Sequence, residues 1–378
     1  CIRDSWSTFP EYLDRLEGNL GVNVGALVGH NALRRSVMHD DAVGREATPE
    51  QIDEMVRMLR ESLAAGGLGF STTMAYTHSD VDGKPVPSRW ASRDELLALA
   101  RAVGEYEGTT LEWNTDGCMN GFADEEVDTM IAMSSGANRP LNWTVFTIDS
   151  ARPDEYRTQL SASERAAADG ARVVALTMPV LGGMTMSFRF YGALNLLPGW
   201  NDVLSLPLDE RMAKLADPEV RRRLELSAAS PEAGVVARLT GWGQYRIGDT
   251  YSPENEGLKG RLVADIARER GVRDFYALLD VVLADELRTV LWPGPTDDDA
   301  ESWRLRQQAW EHDHVMIGGS DAGAHLDRMA GAAYPTAWLA DCIRGRRLTT
   351  MEDAIRHMTE VPARLFGLLD RGRLAEGW

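Results

Sequence analysis

Short apolar runs of strand character alternate with capped helices of about 10 to 15 residues along most of this 378-residue chain. There are about eight such strand candidates, and no glycine fingerprint of a dinucleotide-binding turn accompanies them. Together these observations predict an α/β protein built on a (β/α)8 barrel of TIM type, in preference to a doubly wound sheet.

The elements follow in order. Trp6 to Leu16 places aromatic and leucine positions at helical spacing, and Gly21 to Gly29 reads as a strand ending at His30. Thr48-Pro49-Glu50-Gln51 is a strong helix start, with a threonine cap, proline at the first helical position and glutamine completing a capping box. That helix carries Met55, Met58, Leu59 and Leu63 on one face and stops at Gly66-Gly67, before a strand over 68–72. Ser92 with Glu95 opens the next helix, and a strand follows over 109–113. A helix over 124–133 then precedes a strand over 141–148. Ser161 with Glu164 reads as a further helix start, and 172–177 is strand-like.

The alternation then loosens. Residues 178–251 are rich in Gly, Pro and Trp and read as a loop insertion in the barrel, with a charged helix over 217–226 and short strands over 242–247. Helices over 258–270 and 275–284, a strand over 289–292 and a helix over 302–311 lead to the strand Val315–Ile317. Thr350 caps a helix over 351–357, and 362–369 is also helical in character. The expected organisation is one barrel over 1–369 with 370–378 leaving it. The opening on Cys1 and the close on Gly-Trp suggest a piece of a longer protein, with barrel strands missing before Cys1.

Composition narrows the function classes. A net charge of -18 and the lack of a Lys/Arg cluster argue against nucleic-acid binding. No run of about 18 apolar residues is present, which argues against a membrane span. Three cysteines, Cys1, Cys118 and Cys342, form neither a metal-ligand pair nor a disulfide framework, in keeping with a cytoplasmic protein. The expected partner is a small-molecule substrate.

Candidate chemistry concentrates after the 315–317 strand, where Gly318-Gly319 deliver Ser320, Asp321 and His325 just past its carboxyl end. In a barrel that end carries catalytic groups. The bland reading is an ordinary glycine-rich turn. His30 also sits at a strand end, as a ligand or a satisfied structural histidine. Tyr76 and His78 follow the 68–72 strand and are placed to reach a substrate or only to cover it. Glu112 and Asn142 interrupt apolar strands, and each needs a partner, since an unpaired buried polar group costs about 1–3 kcal/mol. His312-Asp313-His314 imitates a metal motif but precedes its strand, on the face that serves stability. Ser320 brushes against a nucleophile elbow, although the second glycine flank is missing.

Several phrases carry a resemblance to a family. Gly318 to Asp327 (GGSDAGAHLD) resembles the strand-8 motif of the D-aminoacylase-like, or N-acyl-D-amino-acid deacylase, branch of the amidohydrolase superfamily. ALVGHNALR (26–34), GGLGFSTT (66–73), LPGW (197–200) and LRTVLWP (287–293) agree with it, and 359–378 resembles the passage from the barrel to a small β domain. The resemblance implies a metal-dependent hydrolase, usually holding zinc or another divalent metal. Such an enzyme cleaves a linear amide C–N bond, as in an N-acyl-D-amino acid. Asp321 would serve as general acid/base toward the metal-activated water and as a metal ligand. It places the family's His-x-His and cysteine ligands upstream of Cys1, and Glu112 and Asn142 where two later histidines would stand. Glu112 is then a candidate metal ligand, and His30, Arg34, Tyr76 and His325 are candidate substrate contacts. Two alternatives remain: a ligand-binding barrel with an eroded metal site, and a hydrolase dependent on Ser320.

Overall fold

The computed structural model describes residues 6–80, 83–181, 183–295, 297–320 and 333–378. Six parallel strands form its main sheet: β1 (Val28–Gly29), β2 (Gly69–Thr73), β3 (Thr110–Asn114), β4 (Leu141–Trp143), β5 (Val173–Thr177) and β8 (Val315–Ile317). They stand side by side in chain order, β1-β2-β3-β4-β5-β8. Sequential order is how a barrel wall grows, whereas a doubly wound sheet reverses its order at a switch point. Among the described residues β1 and β8 do not pair with each other.

The register sets which residues share a face. Ser71, Glu112, Asn142 and Val174 lie opposite one another across β2 to β5. Successive strand residues point to opposite faces. The alternate residues Phe70, Leu111, Leu141 and Val173 therefore turn outward to the helices, and all four are buried there. The helix Pro49–Ala64 starts on the expected Thr48 capping box and buries Met55, Leu59 and Leu63. The helix Arg93–Gly104 starts on Ser92 and buries Leu96, Leu99 and Val103.

Several boundaries differ from the sequence-based expectation. The 21–29 run is ordered as strand only at Val28–Gly29, and Val22 and Val24 are exposed. Among the described residues nothing covers those valines, so their apolar character does not fix a pairing. The helix expected from Ser161 begins at Glu155, and the Ser161 hydroxyl bonds back to the Thr158 carbonyl at 2.6 Å. This is the local bond a serine makes inside a helix as readily as at its start. The 289–292 strand is Leu291–Trp292 (β7). It pairs antiparallel with Arg246–Ile247 (β6), away from the parallel sheet.

That pair belongs to a second packing unit. One hydrophobic core joins the parallel sheet and its helices, and another runs from Met186 to Leu291. The second contains the helices Val263–Arg270 and Asp274–Ala284, so its packing reaches beyond residue 251. Its centre is aromatic: Trp200 stacks on Trp242 with ring centroids 5.4 Å apart, and Phe275 lies 5.1 Å from Trp242. No helix among the described residues is long and apolar enough to cross a membrane.

Candidate functional site

Three adjacent strands bring polar side chains to the inner face of the sheet. Ser71 Oγ donates to Glu112 Oε1 at 3.2 Å, and Asn142 Nδ2 donates to Glu112 Oε2 at a long 3.5 Å. Burial pushes the Glu112 carboxyl above its ordinary value, and these two hydrogen bonds only partly oppose it. Among the described residues no cation pairs with Glu112. Two amide oxygens on the same face, Asn142 Oδ1 and Asn114 Oδ1, are buried without a hydrogen-bond partner among the described residues. A buried amide oxygen left unpaired is costly, so two of them on the face of one carboxyl make this the polar spot of the inner face with acceptors to spare.

One layer further toward the carboxyl ends, Thr73 Oγ1 lies 2.7 Å from His78 Nδ1. Tyr76 is half-buried in the same loop. Its backbone N–H donates to Asp116, and its carbonyl accepts from Arg89 at 3.2 Å. The expected placement of Tyr76 and His78 past the end of β2 therefore holds. On β8, Gly318 N bonds to the Thr177 carbonyl at 2.9 Å and Gly319 takes a φ of 81°, a conformation glycine adopts without strain. Ser320 follows directly. Asp321 and His325 lie outside the described residues.

His30 and Arg34 occupy a different place. His30 Nδ1 lies 2.7 Å from Thr72 Oγ1, on the outward face of β2, and its Nε2 lies 2.7 Å from Glu95 Oε1. Arg34 Nη1 donates to both Glu95 oxygens, at 2.7 and 2.5 Å, and its Nη2 donates to the Arg45 carbonyl at 2.6 Å. His30 is almost wholly buried, and Arg34 and Glu95 are fully so. These groups clamp the helix that follows β1 to the helix Arg93–Gly104. Substrate contact, expected for His30 and Arg34 from the sequence, finds no support in this geometry, because both point away from the inner face.

The donor set bears on the expected metal. Among the described residues no three His, Cys, Asp or Glu side chains come together to hold an ion. Glu112 with two amide oxygens is an all-oxygen set, whereas zinc favours nitrogen and sulfur ligands in fixed geometry. The described residues by themselves do not fit a zinc site. The histidines of the 312–314 run are no substitute, since His312 faces Glu164 at 3.4 Å on the opposite end of β8.

Sequence reasoning found Glu112 and Asn142 but missed Ser71 and Asn114. Strand parity could have found them, because each is separated by two residues, or by register, from a residue already singled out. It also missed a cavity of about 250 Å3 outside the carboxyl ends of β4 and β5, bounded by the second packing unit.

The comparisons with known proteins agree with this architecture. Residues 2–378 match the Amidohydrolase family. The chain is 27% identical over 371 residues to an N-acyl-D-glutamate deacylase of Alcaligenes xylosoxydans xylosoxydans, covering 94% of this chain and 59% of that protein. A D-aminoacylase of the same organism is 33% identical over 101 residues, 26% of this chain and 19% of its own length. In structure, the chain superimposes on the N-acyl-D-glutamate deacylase of Bordetella bronchiseptica, solved with zinc and a phosphonate inhibitor. The TM-score is 0.58 at 24% identity, covering 98% of this chain and 64% of that one. A D-aminoacylase structure gives 0.57 at 22% identity, with 99% and 64% covered. The chain thus spans about three fifths of the length of the two N-acyl-D-glutamate deacylases. The fold is that of a TIM-type α/β barrel, and with the match running over nearly its whole length, this chain belongs to the amidohydrolase family.

Proposed function

We propose that this chain forms part of a metal-dependent hydrolase that cleaves the amide C–N bond of an N-acyl-amino acid, in the manner of an N-acyl-D-amino-acid deacylase. The observation that carries the reading is the family match over residues 2–378, joined to the retained GGSDAG phrase after β8. Asp321 is the proton carrier. It takes a proton from the attacking water and returns it to the leaving amine, a role worth about 10²–10⁴ in rate. Glu112, on the inner face of β3, is the proposed oxygen ligand or substrate-orienting group. Tyr76, on the loop past β2, and His325 are the proposed substrate contacts.

Zinc or another divalent metal is part of the proposal, and it requires ligands beyond those the described residues assemble. The same observation supports a second reading, a ligand-binding barrel whose metal site has eroded. The test is elemental analysis of the intact protein together with hydrolysis of N-acyl-D-glutamate and its analogues. Bound metal, activity lost on chelation and a fall of about 10²–10⁴ in Asp321→Asn support the deacylase reading. Absence of both metal and hydrolysis supports the eroded barrel. Covalent labelling of Ser320 by a fluorophosphonate, with indifference to chelators, would sink both.

A further inference from the structure

The register of β2, β3 and β4 sets three oxygen-bearing side chains at one level of the inner face: Ser71, Glu112 and Asn142. Their contacts are looser than ordinary hydrogen bonds. Ser71 Oγ lies 3.2 Å from Glu112 Oε1, and Asn142 Nδ2 lies 3.5 Å from Glu112 Oε2. The usual ranges end at about 3.0 Å for a hydroxyl donor and about 3.2 Å for an N–H donor. Asn142 is fully buried with its Oδ1 unpaired. Which end of an amide is oxygen follows from the hydrogen bond assigned to it, and a 3.5 Å contact assigns it weakly. Turning the Asn142 amide brings Oδ1 to face Glu112 in place of Nδ2. The three groups then offer four oxygens, two of them from the carboxylate, and carry one negative charge.

Their spacing indicates what fits between them. Neighbouring ligands of an octahedral ion stand about 1.4 bond lengths apart, so 3.2 and 3.5 Å correspond to bonds of about 2.3 and 2.5 Å. Calcium bonds to oxygen at about 2.3–2.6 Å, whereas magnesium needs about 2.0–2.1 Å and zinc about 2.0–2.2 Å. This oxygen set therefore disagrees with zinc in distance as well as in donor type.

We propose that Ser71, Glu112 and Asn142 hold a hard, oxygen-seeking divalent cation of calcium size. Glu112 binds through its carboxylate, Ser71 and Asn142 bind through single oxygens, and water reaching the half-buried Glu112 completes the shell. The inference rests on the reading of Glu112 as an oxygen ligand and specifies the ion that suits it. The ion lies one layer below the Thr73–Asn114 pair, so it ties three barrel strands together and does not activate the attacking water. One carboxylate is a low charge count for such an ion, which sets the dissociation constant at about 10⁻⁴–10⁻³ M.

The test is titration of the chain with Tb3+, a luminescent ion of calcium size, followed by displacement with Ca2+, Mg2+ and Zn2+. Trp113 and Trp143 directly follow two of the ligands in sequence, so indole excitation reports an ion bound there. Sensitised emission is expected, displaced by Ca2+ about tenfold more effectively than by Mg2+. Glu112→Gln should reduce it about tenfold or more while thermal unfolding stays cooperative. Asn142→Asp, which adds a charge, should tighten Ca2+ about tenfold, and added Ca2+ should raise its thermal midpoint more than that of the parent chain. Hydrolysis of N-acyl-D-glutamate is followed in parallel. Its absence beside intact ion binding would sink the deacylase reading and leave this site standing. Emission unchanged in Glu112→Gln would assign the ion to surface carboxylates. That result, no emission at all, or displacement by Zn2+ more effectively than by Ca2+ would each overturn the proposal.

Discussion

Glu95 and Glu112 are both carboxylates in the interior, and their neighbours push them in opposite directions. Burial raises Glu112, and only Ser71 and Asn142 oppose it. Burial also acts on Glu95, but the hydrogen bonds and charges of His30 and Arg34 overcome it and hold the carboxyl below its ordinary value. Burial likewise holds the His30 imidazole below its ordinary value, against the pull of Glu95. Both shifts are depressions, so the native state binds fewer protons than the unfolded chain between the folded and unfolded values. Their contribution is complete above about pH 6.5, declines first as His30 is forced to protonate, and declines again below about 4.5 through Glu95. Urea unfolding across this range should show a midpoint falling with acidification. Glu95→Gln should flatten the lower part of that profile. It should also cost about 3–5 kcal/mol at neutral pH, because it leaves the buried Arg34 without its counter-ion. An unchanged midpoint would show that the clamp contributes nothing net.

At the scale of elements, caps and close approaches decide where strands and helices can sit. Thr48 Oγ1 accepts from Gln51 N at 3.3 Å, and the Gln51 side chain accepts from Thr48 N at 2.9 Å. Thr48→Ala removes half of this reciprocal box and should lower stability by about 1 kcal/mol, read as a shift of the denaturation midpoint with unchanged slope. Gly69, the first residue of β2, has a φ of 145°, and a Cβ there would lie 1.8 Å from the Thr110 carbonyl oxygen. The backbone of β3 cannot retreat without breaking its own ladder. Gly69→Ala should therefore cost about 3 kcal/mol or more and reduce the yield of folded protein. Recovery of a fully stable Gly69→Ala variant would mean that β2 and β3 are not held as tightly as the register implies.

For the whole molecule, two cores share one chain. The Met186–Leu291 unit depends on its aromatic centre, where Trp200 is fully buried and donates from Nε1 to the Leu224 carbonyl at 3.0 Å. Trp200→Ala should cost about 3–5 kcal/mol within that unit. Hydrogen exchange should then rise across 186–291 while β2 to β5 stay protected. Uniform loss of protection would instead show that the two cores unfold as one.

Much of the fold was legible in the chain: the period of apolar residues, the Thr48 and Ser92 caps and the glycines past β8 depend only on neighbours a few residues away. So did the polar interruptions at Glu112 and Asn142, because a charged or amide side chain within an apolar strand stands out locally. What only the tertiary structure decided was direction and partnership. His30 and Glu112 both sit in or just after strands. Strand parity and the helix turn send His30 outward to Glu95 and Glu112 inward to Asn142. Likewise 289–292 has strand composition, but its pairing with Arg246–Ile247 follows from packing against a second core. Arg238 lies 92 residues from Phe146 in sequence, and no local pattern announces that they line one cavity. Such contacts arise from chain crossings, and their free energy resides in surfaces that meet only once the fold has formed.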